Sequence, residues 1–217
     1  MEYDAGPGVP VNRGCGQDSE LDMNISARAV ALNRYAILDT EPEQAFDDLV
    51  TLASYVCQTP MAFLSLVDDH RQWFKSKVGV EVRETPIESS ICAHAIREAK
   101  EDLFIVPDTL EDSRFRENPL VVKEPGIRFY AGAPLIDEDG FALGTLCVAD
   151  RYPRVLDQEQ QVALKSLRRL AVGQIELRRN LVLLKEALND RTKEEHAREL
   201  ELRGVQEKLV RVLGLKF

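Results

Sequence analysis

Two cysteines and one histidine are the residues of this sequence best suited to covalent chemistry. Cys92 and His94 lie two positions apart in the segment ICAHAI, and Cys147 lies in the segment GTLCV. A thiol beside an imidazole can act as a nucleophile. On a helix, however, residues i and i+2 do not face each other, and no third group is evident that would orient the imidazole. Cys147 has no partner that the sequence identifies, so two buried thiols and a hydrogen-bonded histidine are the simpler interpretation.

A cation and a phenol form a second candidate group. Arg128 and Tyr130 open the segment RFYAG, and in a strand they lie on one face while Phe129 lies on the other. A guanidinium beside an aromatic hydroxyl can hold a carboxylate or phosphate ligand. It can equally pair with Asp108 or Asp112, and we favour this internal ion pair.

A long polar segment, residues 107–125, contains four further candidates: Asp108, Asp112, Arg114 and Asn118. They either face solvent or bond the segment back onto a sheet as a lid, with Arg128 or Tyr130 as partners. A charged pair that holds a lid needs several hydrogen bonds to offset desolvation, and arginine supplies five donors. We favour the structural lid over contact with a ligand.

Trp73 and Phe74 are the remaining candidates for a pocket. They are adjacent, so in a strand their side chains point to opposite faces. One of them could line a pocket while the other packs under a helix. Core packing of both is the favoured interpretation.

The composition narrows the class of protein. The 217 residues carry 28 Lys plus Arg against 37 Asp plus Glu, a net charge of −9, which argues against a nucleic-acid partner. No apolar run approaches a membrane span and no signal-peptide pattern opens the chain, so we expect no membrane insertion and a cytoplasmic protein. The cysteines form no C-x-x-C pair and only three histidines are present, so a zinc site is unsupported.

The apolar periodicity predicts an α+β domain after a Gly- and Pro-rich flexible leader, residues 1–24. One helix is predicted from Ser26 to about residues 38–40, and a second, capped by Thr40 or Glu41 with Pro42 in its first turn, up to residue 56. The other predicted elements are strands 61–67, 71–78 and 103–106, a helix 91–99, a helical turn at 118–122, and a hairpin closed by the turn Asp137–Gly140.

From Asp157 to the end, apolar residues recur at alternating steps of four and three, the coiled-coil repeat. Roughly 50 residues of helix would extend about 75 Å, beyond what one domain can cover, so we expect a homodimer through this helix. The polar stretch 189–201, with Arg191, Glu195 and Arg198, weakens the repeat. The predicted dimer contacts are Leu167, Leu170, Leu177, Leu181, Leu184, Leu188, Leu202, Val205 and Leu209.

Six segments in one order make the sequence resemble the GAF domain family, in particular its bacterial members at the front of sensor histidine kinases and diguanylate cyclases. The segments are RQWFK at 71–75, ICAHAI at 91–96, Asp108 with DSRF at 112–115, NPLV at 118–121, RFYAG at 128–132 and GTLCV at 144–148. The resemblance covers about residues 26–180. It implies a central antiparallel sheet of about six strands flanked by helices, a ligand pocket between the sheet and the long loop, and dimerisation through flanking helices.

We therefore expect a sensor domain at 25–156 and a signalling helix at 157–217, with no catalysis of its own. No cofactor is evident; an unknown small molecule would contact Trp73, Phe74, Cys92, His94, Arg128, Tyr130 and Cys147. The partner would be an output domain of the histidine kinase or cyclic-dinucleotide type, because no catalytic motif of either is present in this chain.

The resemblance also implies alternatives. Photoreceptor GAF domains attach a bilin through Cys followed directly by His, whereas Ala93 intervenes here. GAF-type methionine sulfoxide reductases pair such a cysteine with others in the long loop, and residues 107–126 contain none. Haem ligation by His94 has no second signal.

Overall fold

The computed structural model describes residues 27–98 and 102–213, with side chains up to residue 211. The predicted leader, residues 1–24, and the predicted cap Ser26 lie outside the described residues. Residues 27–33 form the helical segment α1. The other helices are α2 (Gln44–Cys57), α3 (Ile91–Glu98), α4 (Pro119–Val122) and α5 (Gln158–Leu213), and the strands are β1 (Met61–Val67), β2 (Arg71–Val78), β3 (Glu84–Pro86), β4 (Phe104–Val106), β5 (Phe129–Ile136) and β6 (Ala142–Asp150).

The strands form one six-stranded antiparallel sheet in the order β3-β2-β1-β6-β5-β4. This confirms the expected α+β fold with a central sheet. The edge strand β3 is not among the strands that the sequence predicts. It is three residues long and ends in Pro86, so it carries no alternation that a pattern could detect.

Both faces of the sheet are covered, which explains why all seven residues of β1 are buried. On one face, Leu64, Leu146 and Phe129 belong to a core shared with α1, α2 and the start of α5. On the other face, Phe63, Cys147 and Tyr130 belong to a second core with α3 and the 107–125 loop. We call these the helical face and the α3 face.

The segment between α1 and α2 corrects two helix boundaries. α1 ends at residue 33, before the predicted stop at 38–40, because Ala36 (φ 45°) and Asp39 (φ 58°) are left-handed and break the helix. α2 begins at Gln44, so Pro42 precedes the helix, and the cap position is Glu43 instead of Thr40 or Glu41. The Glu43 side chain makes no capping bond because its carboxylate is engaged elsewhere, as described below.

α5 is one continuous helix of 56 residues. A reciprocal cap starts it: the backbone N of Gln160 donates to Asp157 Oδ1 (2.8 Å), and the backbone N of Asp157 donates to Gln160 Oε1 (3.1 Å). Its first turns are buried on the helical face through Leu164, Leu167, Ala171 and Ile175. Leu167, predicted as a dimer contact, is therefore part of its own domain's core. Among the described helices, none has the length and apolar character to cross a membrane.

Candidate functional site

A cluster of thiol and hydroxyl groups lies at the centre of the α3 face. Cys92 Sγ, from α3, is 3.7 Å from Cys147 Sγ, from β6, and both thiols are free. The Tyr130 hydroxyl donates to Cys92 Sγ (3.1 Å). Cys147 thus has a partner, contrary to the expectation from sequence, because α3 lies directly across β6. We call Cys92, Cys147, Tyr130 and the neighbouring Thr145 and Ser65 the thiol cluster.

Strand alternation and register place the hydroxyls of the cluster. Thr145 and Cys147 are two residues apart on β6 and share a face, and Ser65 on β1 lies directly opposite Thr145. The Ser65 and Thr145 hydroxyls are 3.1 Å apart, and Thr145 Oγ1 is 3.4 Å from the Tyr130 hydroxyl. Neither Ser65 nor Thr145 was a candidate from the sequence, because isolated hydroxyls in strands carry no signal of their own.

Two further residues hold Cys92 and Tyr130 in place. The hydroxyl of Ser90 accepts a hydrogen bond from the backbone N of Ala93 (3.0 Å), which fixes the first turn of α3 where Cys92 lies. On β5, Gly132 leaves room for the Tyr130 ring: a Cβ at Gly132 would lie 2.4 Å from the Tyr130 hydroxyl oxygen. Ser90 and Gly132 therefore determine where the Cys92 and Tyr130 side chains lie in the thiol cluster.

Burial and hydrogen bonding act in opposite directions on the Cys92 thiol. Cys92 is 2 % exposed and Cys147 is fully buried. Burial would raise the pKa of Cys92, but hydrogen bonds from Cys147, Ser65, Thr145 and Tyr130 to its sulfur lower that pKa to about 7. Burial raises the pKa of both Cys147 and Tyr130 well above their usual values. Cys92 is thus the group of the cluster that ionises first.

The apolar walls of the cluster are aromatic. The Phe104 ring lies 6.1 Å from the Tyr130 ring and 6.2 Å from the Phe115 ring, in edge-on geometry. Phe74 packs on the same face against Phe63, at 5.3 Å between ring centroids. Trp73 lies on the helical face, so the two aromatics occupy opposite faces. The α3 face therefore holds Phe74, Cys92, Tyr130 and Cys147 of the seven predicted ligand contacts.

His94 turns away from the thiol cluster. Its ring lies edge-on to Phe115 at 4.9 Å, and its Nδ1 is 3.5 Å from Glu98 Oε1 on the same helix. The side chain is about one-third exposed. Cys92 and His94 therefore do not form the nucleophile and base of one site.

The long loop is tied down by two separate sets of contacts. Arg128 donates two hydrogen bonds to Asp108, from Nε to Oδ1 (2.8 Å) and from Nη2 to Oδ2 (2.6 Å). This is the internal ion pair that the sequence predicted. This pairing holds the pKa of Asp108 below its usual value and raises that of Arg128. Arg128 is thus engaged at the base of the loop.

The other loop residues bind α3 and the residues before it, which corrects the expected partners Arg128 and Tyr130. Arg114 binds Asp112 (Nε to Oδ1, 2.9 Å) and Glu98. Its guanidinium also lies over the rings of Phe104 (4.9 Å) and Phe115 (5.1 Å). Asn118 caps α4 and donates to the carbonyl of Ser89 (3.0 Å). The loop and α3 therefore cover the thiol cluster as one unit.

A second polar assembly on the helical face was not predicted. The Lys75 side chain, in the middle of β2, is fully buried. Its Nζ donates to Thr40 Oγ1 (2.9 Å), the Glu41 carbonyl (2.7 Å) and Glu43 Oε1 (2.7 Å). Arg178 of α5 binds the same Glu43 carboxylate. We call Lys75, Glu43 and Arg178 the Lys75 clasp.

Arg178 extends this clasp to the segment before α2. Its Nε donates to Glu43 Oε1 (2.8 Å), and its Nη1 donates to the carbonyl of Ala36 (2.9 Å). Arg178 lies one turn beyond Ile175, the last buried apolar residue among the described side chains of α5. The clasp therefore ties α5 to the sheet where the helix leaves the domain. In the described part of the chain, no group of three or more His, Cys, Asp or Glu side chains could hold a metal ion.

Comparison with known proteins agrees with this architecture. The sequence profile of the GAF domain family matches residues 41–175. A cyclic di-GMP phosphodiesterase of Pseudomonas aeruginosa is 41 % identical over 150 residues, which is 69 % of this chain and 25 % of that protein. The chain thus spans a quarter of the length of this relative.

Three solved structures share the fold at low sequence identity. The GAF domain of an Acinetobacter phosphoenolpyruvate-protein phosphotransferase has a TM-score of 0.52 at 15 % identity, covering 74 % of this chain and 94 % of that one. The free methionine-R-sulfoxide reductase of Neisseria meningitidis has a TM-score of 0.51 at 14 % identity, and the match covers 77 % of this chain and 96 % of that one. The blue-light absorbing form of the Thermosynechococcus elongatus PixJ GAF domain has a TM-score of 0.50 at 15 % identity, and the match covers 81 % of this chain and 96 % of that one.

Proposed function

Because the chain belongs to the GAF domain family, we propose that it is a regulatory module that relays a signal through α5 to an output domain and has no catalytic activity of its own. The observation that carries this proposal is a row of exposed leucines on α5. Leu170, Leu177, Leu181, Leu184 and Leu188 are each 52–61 % exposed in the single chain. A soluble helix does not keep such a row in water without a partner.

The spacing of this row favours a second copy of the same helix as its partner. The steps from Leu177 to Leu188 are four, three and four residues, which is the a/d pattern of a coiled coil. The pattern resumes at Leu202, Val205 and Leu209, which are 49–59 % exposed. Beyond Arg179, whose guanidinium lies over the Tyr35 ring, the helix continues for roughly 50 Å, and none of its described side chains there is buried. We therefore propose a parallel, two-chain coiled coil.

The polar stretch between the two leucine groups suits a relay. Arg191, Glu195 and Arg198 occupy a/d positions there, and Arg191 Nε binds Glu195 Oε1 (3.0 Å) within one chain. Polar residues at such positions weaken the seam and allow two registers of similar free energy. A signal then needs to supply only a small difference in free energy to shift the helices between registers.

Only a short segment separates β6, which borders the α3 face, from the start of α5. β6 carries Cys147 on the α3 face and Leu146 and Val148 on the helical face. The strand ends at Asp150, and α5 begins at Gln158. A small molecule that binds more tightly to one packing of the α3 face would thereby bias the start of α5.

For the output domain we propose an enzyme of cyclic-dinucleotide turnover. The relative with 41 % identity is a cyclic di-GMP phosphodiesterase, and the matched part is a quarter of its length. A sensor histidine kinase is the second candidate, since the motif order resembles that of GAF domains at the front of such kinases. To separate the two candidates, the chain is fused to an output domain of each class. Cyclic di-GMP hydrolysis is assayed in one fusion and autophosphorylation in the other.

Paired substitutions on α5 test the relay. Leu181→Asp with Leu184→Asp places four charges in the seam of a dimer, and we expect the variant to sediment as a monomer. Leu183→Asp with Leu200→Asp is the matched control, because these leucines are also exposed, 48 % and 56 %, but lie outside the a/d positions. If the first variant sediments as a dimer like the control, the coil is not the interface.

Two assays separate the non-catalytic proposal from its alternatives. Turnover of free methionine sulfoxide that depends on Cys92 would show a reductase and overturn the proposal. Visible absorbance of the purified chain would instead show a bound bilin or haem. We expect neither.

A further inference from the structure

We propose that Cys92 and Cys147 form an oxidation site, at which a hydroperoxide converts the two thiols into an intrachain disulfide. The two sulfurs are 3.7 Å apart inside one buried cluster, on α3 and β6 respectively. A disulfide needs about 2.05 Å between sulfurs, so an approach of about 1.7 Å closes the bond. The remaining cysteine of the described residues, Cys57, lies on the helical face and cannot compete.

The surroundings give the two cysteines different roles. The hydroxyl of Tyr130 donates to Cys92 Sγ, and Cys147 Sγ lies 3.7 Å from the carbonyl oxygen of Phe63, which accepts a weak hydrogen bond from it. Hydroxyl donors stabilise a thiolate at Cys92, while Cys147 keeps its proton. Cys92 is therefore the attacking sulfur and Cys147 the resolving one.

The reaction balances in two steps. The Cys92 thiolate attacks one oxygen of the peroxide and breaks the O–O bond; Cys92 becomes a sulfenic acid, and the other oxygen takes up the proton that the Cys92 thiol has lost and leaves as water or an alcohol. The Cys147 thiol then attacks the sulfenic sulfur, which forms the S–S bond and releases water. Two electrons pass from the two sulfurs to the peroxide, and a thiol reductant reverses the bond.

Burial selects the oxidant. Cys92 is 2 % exposed and Cys147 is fully buried beneath α3 and the loop that Arg114 and Asn118 hold in place. Because access to Cys92 requires α3 or the loop to move, a water-sized hydroperoxide needs a much smaller movement than a bulky disulfide such as oxidised glutathione. We therefore expect hydrogen peroxide to act on the folded chain and oxidised glutathione to leave it unchanged.

The bond would alter the face of the sheet that leads to α5. It draws α3 toward β6 and removes the thiolate that the Tyr130 hydroxyl binds. The role of this bond as an input to the relay rests on the proposed function. The thiol chemistry itself does not depend on the proposed function. The disulfide is detected within one chain, and the oligomeric state is measured separately on the reduced chain.

Peptide mapping of the full chain tests the inference. The folded chain is treated with hydrogen peroxide, remaining thiols are alkylated after unfolding, and the peptides are identified by mass spectrometry. We expect a linked peptide pair containing Cys92 and Cys147, a chain mass lower by two hydrogens, and full reversal by a thiol reductant. Cys57→Ser is the matched control and should form the same link.

Single substitutions of the pair add a second measurement. Cys147→Ser should leave a sulfenic acid on Cys92 that dimedone traps when the peroxide-treated chain is unfolded in its presence, whereas Cys92→Ser should leave Cys147 unmodified. Circular dichroism of each variant verifies that it folds. The inference is overturned if peroxide leaves both thiols of the folded wild-type chain open to alkylation, or if the link joins Cys57 or Cys15 instead.

Discussion

Tyr130 is the residue that connects the apolar α3 face to the thiol cluster. Its ring packs on Phe104, and its hydroxyl binds Cys92 in a region without water-exposed surface. A buried phenol needs such a partner, because an unpaired hydroxyl in the core costs about 1–3 kcal/mol. The position of the ring depends on Gly132, whose Cβ would meet it.

Gly132→Ala tests this dependence. The added methyl group lies 2.4 Å from the Tyr130 hydroxyl oxygen, so the ring must move and the Cys92 hydrogen bond is lost. We expect unfolding in urea to show a loss of about 1–3 kcal/mol. Gly173→Ala is the control, because nothing lies within 4 Å of a Cβ at that position of α5. It should gain about 0.5–1 kcal/mol from helix propensity. Equal effects of the two substitutions would contradict the account.

Glu43 is the titrating residue of the Lys75 clasp. Partial burial would raise its pKa, but hydrogen bonds from Lys75 and Arg178 outweigh burial and lower the pKa below its usual value. A carboxylate with a lowered folded-state pKa adds stability above its unfolded pKa of about 4.3, and that stability is lost as the pH falls through the folded pKa. The clasp should therefore weaken in acid.

Glu43→Gln measures this contribution. At pH 7 we expect the variant to be less stable than the wild type by about 1 kcal/mol, a value discounted for the one-third exposure of the Glu43 side chain. This gap in the free energy of unfolding between the variant and the wild type should close as the pH falls below about 4. Urea unfolding at several pH values provides the measurement. Asp190→Asn, in an exposed pair with Lys193 on α5 outside the a/d positions, should show no gap at any pH, and a gap for Glu43→Gln that persists in acid would contradict the role of the clasp.

At the scale of elements, α5 has two apolar faces with separate tasks. Leu164 is fully buried against the sheet, while Leu177 is 52 % exposed on the outer row. Leu164→Ala should lower the free energy of unfolding by about 2–4 kcal/mol at any protein concentration, because it opens a cavity within one chain. Leu177→Ala should instead weaken the proposed dimer, so its effect on the melting temperature should depend on protein concentration. Identical concentration dependence for both variants would contradict the division.

The sequence indicated the elements with local patterns and missed those that depend on distant partners. β1, β2 and the β5–β6 hairpin follow from alternation and turn residues, and they form as predicted. On α5 the heptad row concealed the inner face, since Leu164, Ala171 and Ile175 fall outside its a/d positions. Lys75 could not be placed because no pattern distinguishes a buried lysine from a solvated one.

The thiol cluster shows the same limit for the site. Cys92 and Cys147 were each recognisable as buried thiols, but they are 55 positions apart in the chain. Their contact depends on α3 crossing β6, which is a property of the tertiary fold. The Arg128–Asp108 pair was predictable because strand and loop adjoin, whereas the partners of Arg114 and Asn118 again depend on where α3 lies.

At the scale of the whole molecule, we propose that one face of the sheet receives the signal and the other passes it to α5. The thiol cluster lies on one face, and the inner stripe of α5 and the Lys75 clasp lie on the other. The central strands β1 and β6 contribute side chains to both faces, so a change in packing on one side alters the support of the other. In the proposed relay, α5 carries that change away from the domain along its exposed leucine row.

The most direct test of this account is a cysteine cross-link within the proposed coil. In a parallel, in-register coil, Leu184 of one chain faces Leu184 of the second, so Leu184→Cys should form an interchain disulfide between identical residues in mild oxidant. Glu186→Cys, two positions away on the exposed outer side, is the control and should remain a thiol. We predict a 184–184 link in the Leu184→Cys dimer and none for the control. A monomer without the link, or equal linking at both positions, would contradict the account.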